Sequence, residues 1–167
     1  MTIRTSEIDL TLRTPRLRDG AAIWQLVQCT QPLDINSCYT YLLLSSHFAS
    51  TSVVALHRND LVGFITGYRL PEASDVLFVW QVGVTSAWRG QGIAGAMLRH
   101  LLDRDTCRDV RFLEATITPT NTPSKALFRA LARERNVPCQ ELAGFAPQDF
   151  GTEAHEAEQL FRIGPLW

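Results

Sequence analysis

Residues 82–95, VGVTSAWRGQGIAG, hold the chain to a strand-turn-helix unit more tightly than any other stretch. An apolar strand enters a turn with glycine at 90 and 92, and Ile93, Met97, Leu98, Leu101 and Leu102 then recur along one helix face. Glycine lets the backbone approach a ligand and adopt left-handed dihedrals. The amides of Gln91, Gly92, Ile93, Ala94 and Gly95 open the helix, where first-turn N–H groups lack internal partners and the macrodipole favours negative charge. Arg89 adds a forked cation to the same turn. Together these residues read as a cradle for phosphate groups. Two better-known phosphate turns are excluded: no Gly-Lys-Ser/Thr step follows, and the first glycine of the dinucleotide fingerprint is missing, with no early βαβ unit around it.

The chain has 167 residues, 46% of them hydrophobic, which is enough for one core and expected to form one domain over 1–167. Its 16 Lys and Arg against 17 Asp and Glu give no long-range attraction to nucleic acid or to an anionic membrane, so a small, specific ligand is the expected partner. Cys29, Cys38, Cys107 and Cys139 form neither a metal-type nor a redox-type pair and read as reduced thiols. Residues 155–159, HEAEQ, begin like a zinc-protease helix but lack its second His, and no metal is expected. No apolar run approaches the roughly 20 residues that span a bilayer. The first 13 residues have no signal-peptide core, so a cytoplasmic location is expected.

Residues 1–9 are polar and read as loose, and residues 10–15 as a short strand. Asp19 is a candidate N-cap for a helix with Ile23, Trp24 and Val27 on one face, ending near residues 31–32. Asn36 or Ser37 is expected to cap a second helix carrying Tyr41, Leu42, Leu44 and Phe48. Residues 52–58 and 61–69 read as a hairpin turning at Asn59 and Asp60, and residues 76–84 as the strand that enters the cradle. Beyond the cradle helix, residues 111–117 form a strand and residues 124–135 a helix. Two strands joined by a helix are most simply parallel, with a right-handed crossover. From Pro138 the pattern weakens: residues 144–151 read as a loop and residues 159–163 as a last strand. The expected class is α/β, a mixed sheet flanked by helices.

Arg89, Gly92 and Ala94 match the Arg/Gln-x-x-Gly-x-Gly/Ala signature, and by it the chain resembles the GNAT superfamily of acyl-CoA N-acyltransferases. The resemblance implies the GNAT fold, with the diphosphate of acetyl-CoA in the cradle and the main chain of Val82 to Val84 bonding the pantetheine arm. A second similar element runs from Thr118 to Phe128, TPTNTPSKALF, in which Asn121, Ser124 and Phe128 stand at cofactor positions. Its ordinary explanation is a helix start, because Asn, Thr and Ser cap well and Pro123 suits the first turn. Many members of the family carry a Tyr where Phe128 stands, whose hydroxyl protonates the departing thiolate. Here Ser124, Tyr39 or water is left for that role. Many also carry a Glu on the strand before the cradle, and residues 76–84 contain none.

Residues 32–49, 77–84 and 155–165 are similar, more narrowly, to the diaminobutyrate acetyltransferase family of ectoine biosynthesis. That resemblance implies acetylation of the side-chain N4 amine of L-2,4-diaminobutyrate by acetyl-CoA, giving N4-acetyl-L-2,4-diaminobutyrate. It also implies a homodimer, for which Phe161 and Trp167 are candidate interface aromatics. At pH 7 an ammonium of pKa near 10.4 costs about 4.6 kcal/mol to deprotonate, so a base is needed. Glu114, which interrupts an apolar strand, is the first candidate, with Glu158 and Tyr39 as further proton-transfer groups. Asp34, Asn36, Ser37, Trp80 and His155 are candidate acceptor contacts. Each has an ordinary reading beside it: solvent-facing carboxylate, turn former, helix cap, core aromatic or solvated charge run. The same chemistry on another small amine stays open, as does a non-catalytic module that senses acetyl-CoA.

Overall fold

Alternation, turn chemistry and helix periodicity place most elements where they were read. The computed structural model describes residues 2–5, 8–30, 33 and 35–167. In chain order the elements are β1 Thr2–Thr5, β2 Ile8–Arg13, α1 Asp19–Gln28, α2 Cys38–His47, β3 Val53–His57, β4 Asp60–Leu70 and β5 Ala73–Val84, then α3 Ile93–Leu102, β6 Phe112–Ile117, α4 Thr122–Arg135, β7 Cys139–Phe145 and β8 Glu158–Ile163. Contacts group them into two units, residues 1–68 with 79–108, and residues 69–78 with 109–167.

In the first unit the strands lie in the order β1-β2-β3-β4-β5. The pairings β1/β2, β2/β3 and β3/β4 are antiparallel. Val54 pairs with Phe64 and Ala55 with Gly63, so neighbouring pairs point to opposite faces. Val54 and Phe64 join Ile23, Leu26 and Val27 of α1 and Tyr41 and Leu44 of α2 in one buried cluster. On the other face Gly63 leaves room for Met97 of α3, since a Cβ there would stand 3.2 Å from the Met97 methyl. The five apolar residues read along the cradle helix are all buried. Each contributes about 1.5–3 kcal/mol by leaving water.

β2 begins at Ile8 and ends at Arg13, two residues earlier than read, and α1 ends at Gln28, short of residues 31–32. Three further details differ from the reading. Residues 2–5 pair with β2 from Thr2–Thr11 to Thr5–Ile8, because the β-branched Thr2, Ile3 and Thr5 suit a strand despite their company. The hairpin turns one residue earlier than expected, at Arg58 and Asn59, with His57 and Asp60 as its last pair and Arg58 at φ 56. Asp19 does not cap α1. Its carboxylate accepts bonds of 2.6 and 2.9 Å from Arg13 and one of 2.6 Å from the Arg16 N–H.

Burial pushes the Asp19 carboxyl up, but the Arg13 and Arg16 hydrogen bonds outweigh it and hold the carboxyl below its ordinary range. A lowered folded-state pKa stabilises the fold above the unfolded value near 3.9, and that stability is lost as pH falls through the folded value. Asp19→Asn is therefore expected to lose about 2 kcal/mol at neutral pH. Thermal melts of variant and parent should converge as acid protonates Asp19, whereas a gap unchanged down to pH 2 would assign the loss to packing.

The second unit orders its strands β5-β6-β8-β7. As expected, β5 and β6 are parallel, with Val76 to Phe78 beside Phe112 to Glu114. β8 pairs antiparallel with β6 and β7. One sheet face carries Leu113, Ala115, Ile117, Phe161 and Ile163, buried with Phe128, Leu131 and Ala132 of α4. On the same side the Arg129 guanidinium lies 5.8 Å from the centre of the Phe161 ring. Phe161 is thus a core residue rather than an interface aromatic, because α4 covers its face of β8; Trp167 is exposed. The opposite face carries Phe112, Glu114 and Thr116 of β6 beside Glu158, Leu160 and Arg162 of β8. β7 escaped the reading because six of its seven residues are exposed, so it lacks the apolar alternation of a half-buried strand.

Candidate active site

The cradle belongs to the first unit. At the end of β5 the Thr85 N–H bonds to the Val62 carbonyl at 2.9 Å. A 3₁₀ turn, Ser86–Trp88, follows. Arg89 Nε then reaches back to the Val84 carbonyl at 3.1 Å, and Gln91 Nε2 to that of Ala87 at 3.2 Å. Gly90 and Gly92 both sit at φ +75, with nothing within 4 Å of an added Cβ. Glycine is required here by dihedral, and the space before the turn is open. Gly92 is the N-cap of α3 with no side chain bonded to the first turn. The Ile93 side chain is buried, so its contribution to a ligand is its N–H alone. Upstream, Val82 and Val84 are half-buried and alternate with Gln81 and Gly83. A Cβ on Gly83 would stand 2.4 Å from the Phe64 ring, so this strand passes directly under the α1/α2 core.

Beside it, α2 and β5 build a cluster the sequence did not reveal. Tyr41, fully buried, donates to Gln81 Oε1 at 3.0 Å. Its ring lies 6.3 Å from that of Trp80 at 26°. Gln81 stands among residues 76–84, which hold no carboxylate, and the available signal was one amide in an apolar run. Ser37 caps α2 by accepting from the Thr40 N–H, as expected, and the Asn36 carbonyl accepts from Trp24 Nε1 at 3.1 Å. Tyr39, in the first turn of α2, is 66% exposed. Asp34 lies outside the described residues.

In the second unit Asn121 caps α4 through a 3.2 Å bond from the Ser124 N–H. Phe128 is packed into the α4 core, and Ser124 is half-buried. Glu114 is 5% exposed and ion-paired with Arg162, its direct partner across the β6/β8 ladder. The Arg162 guanidinium in turn lies 3.9 Å from the centre of the Phe112 ring. Arg162 was missed because its partner is 48 residues away. Four residues along β8, Glu158 stands on the same face, roughly 13 Å further on, so Glu114 and Glu158 do not share one proton. Glu158 Oε1 is 4.0 Å from His155 Nε2. The His155 ring stacks on Phe150 at 3.9 Å and 14°. Its Nδ1 is 2.7 Å from the Glu156 carbonyl, and the Glu156 carboxylate accepts from the Thr120 hydroxyl at 2.5 Å.

The first unit thus presents main-chain donors and a cation suited to a diphosphate, and the second an imidazole and a carboxylate at near-contact. Such a fold and turn define an acyl-CoA N-acyltransferase. Residues 21–132 match the acetyltransferase (GNAT) family, and the chain belongs to that family. It is 47% identical over 163 residues, 98% of this chain and 86% of the relative, to the L-2,4-diaminobutyric acid acetyltransferase of Halalkalibacterium halodurans. It is 50% identical over 156 residues, 93% and 84% of the two chains, to that of Bordetella parapertussis. The diaminobutyrate acetyltransferase EctA of Paenibacillus lautus, solved with L-2,4-diaminobutyric acid and coenzyme A, matches with a TM-score of 0.92 and 42% identity over 96% of this chain and 97% of its own. Within the GNAT family, the chain belongs with the L-2,4-diaminobutyric acid acetyltransferases.

Proposed function

We propose that this chain transfers the acetyl group of acetyl-CoA to the N4 amine of L-2,4-diaminobutyrate, giving N4-acetyl-L-2,4-diaminobutyrate for ectoine synthesis. The observation that carries the proposal is the 0.92 match to a protein solved with both diaminobutyric acid and coenzyme A. The cradle geometry supports it independently. Residues 89–95 hold the diphosphate, the main chain of residues 82–84 bonds the pantetheine arm and polarises the thioester carbonyl, and Asn121 and Ser124 contact the cofactor from the start of α4. Asp34, Asn36, Ser37, Trp80 and His155 contact the acceptor. Glu158 takes the amine proton in preference to Glu114, whose carboxylate is engaged by Arg162. The neutral amine attacks the thioester carbonyl, the attacking nitrogen loses its second proton to water, and the tetrahedral intermediate collapses to the neutral amide with loss of the thiolate. Tyr39, with its exposed phenol, returns the proton that Phe128 lacks the hydroxyl to supply.

The test is thiol release with a panel of diamines. Ornithine, one methylene longer than diaminobutyrate, should fall by about tenfold or more in kcat/KM. Equal rates on diaminobutyrate, ornithine and lysine would transfer the assignment to another amine, and acetyl-CoA binding with no release would leave only a sensor. Four free thiols fit a cytoplasmic enzyme, and among the described residues no helix is long and apolar enough to cross a membrane. A homodimer is proposed with it, in which exposed Trp167 contributes to the contact. Light scattering should give twice 18.7 kDa, and a mass of one chain at micromolar concentration would remove the dimer.

A further inference from the structure

We propose that Tyr41 is a positioning residue that sets the width of the acceptor pocket, acting through Trp80; the inference rests on the reading of Asn36, Ser37 and Trp80 as acceptor contacts. Tyr41 ties the two walls of that pocket together. Ser37 caps α2, and Tyr41 stands four residues on, about 6 Å along the helix, on its buried side. From there its hydroxyl donates to Gln81 Oε1 at 3.0 Å, and its ring lies 6.3 Å from that of Trp80 at 26°. Consecutive residues of a strand ordinarily point to opposite faces, so a single side chain of α2 that meets both Trp80 and Gln81 holds β5 at this point against slide and twist. The α2 wall is itself fixed. The Asn36 carbonyl accepts from Trp24 Nε1 at 3.1 Å, and Trp24 packs against the same core cluster as Trp80.

The hydroxyl distinguishes Tyr41 from a residue that merely fills the core. Tyr41 is fully buried and Gln81 is 7% exposed, and a phenyl ring beside an apolar neighbour would fill the same volume. Replacing both members of a buried hydrogen-bonded pair by apolar groups of like shape is close to neutral for stability. What the bond adds is direction: in a buried, low-dielectric setting it favours one separation and one orientation of the ring. Trp80 is half-buried, so its packed side rests on the Tyr41 ring while the rest of its surface is open to the acceptor. With the Tyr41 ring fixed, Trp80 limits the length of the acceptor. With the hydroxyl gone, the Tyr41 ring turns, Trp80 tilts with it, and a chain one methylene longer fits.

Tyr41→Phe keeps the ring in the core and removes the bond. We expect KM for diaminobutyrate to rise about fivefold and the preference for diaminobutyrate over ornithine in kcat/KM to fall about fivefold, with KM for acetyl-CoA within about twofold of the parent. Gln81→Met breaks the same bond from β5 and should give the same pair of changes, and the double variant should be no worse than either single one. If Tyr41→Phe unfolds, Gln81→Met decides alone. In a Trp80→Phe background, Tyr41→Phe should alter the preference no further. A folded Tyr41→Phe enzyme with parental KM for diaminobutyrate and parental preference, or one whose effect persists in full without Trp80, overturns the proposal. Trp80→Phe by itself separates the two levels. Parental KM and preference in that variant remove Trp80 as an acceptor contact and the proposal with it, whereas a changed Trp80→Phe enzyme beside an unchanged Tyr41→Phe enzyme removes only the positioning role.

Discussion

Gly92→Val is expected to lose coenzyme A binding by about a thousandfold in calorimetry while the chain remains folded. Gly92 sits at φ +75, which a β-branched residue adopts only at about 1–3 kcal/mol of strain. Nothing lies within 4 Å of an added Cβ, so the protein itself offers no clash, and the turn can relieve the strain by rotating its peptides. That rotation moves the N–H groups around Gly92 off the diphosphate. Losing two charge-assisted hydrogen bonds of about 2 kcal/mol each accounts for the expected fall. Gly92→Asn should keep binding within about tenfold, since Asn tolerates the left-handed region. Parental affinity in the Val variant would mean that the anion does not sit on these amides.

Glu158→Gln is expected to lower kcat about a thousandfold with KM for acetyl-CoA nearly unchanged, because the amide preserves shape but cannot take a proton. Glu114→Gln should behave differently. It leaves the Arg162 guanidinium without its carboxylate beside the Phe112 ring, and because the Arg162 side chain is 30% exposed the loss is about 1–2 kcal/mol. Its signature is therefore a lowered melting temperature with kcat largely kept. A stable Glu114→Gln protein with collapsed kcat would return the base to Glu114, and parental turnover by Glu158→Gln would remove it from Glu158.

These two carboxylates show where sequence reading reaches and where it stops. Glu114 drew attention because a lone acid in an apolar strand asks for a purpose, and the structure supplies an ordinary one, an arginine 48 residues downstream. Glu158 lay in a charge run that most simply reads as solvated, yet β8 begins at that residue and brings its carboxylate to His155. Tyr41 and Gln81, 40 residues apart, meet only after α2 lies against β5. Phe161 resembled a surface aromatic of the tail until α4 covered its face.

The cradle, α3, the parallel β5/β6 pair and the α4 cap were all determined by the amino-acid sequence alone. The first, second and last are local: dihedral preference, helix period and capping act within a few residues and are written in neighbouring positions. The parallel pair followed from chain connectivity. Tertiary structure decided which acid is ion-paired with Arg162 and which aromatic is core. Those outcomes depend on strand register and on which face a helix covers, and both arise from summed burial over the whole chain rather than from any one segment.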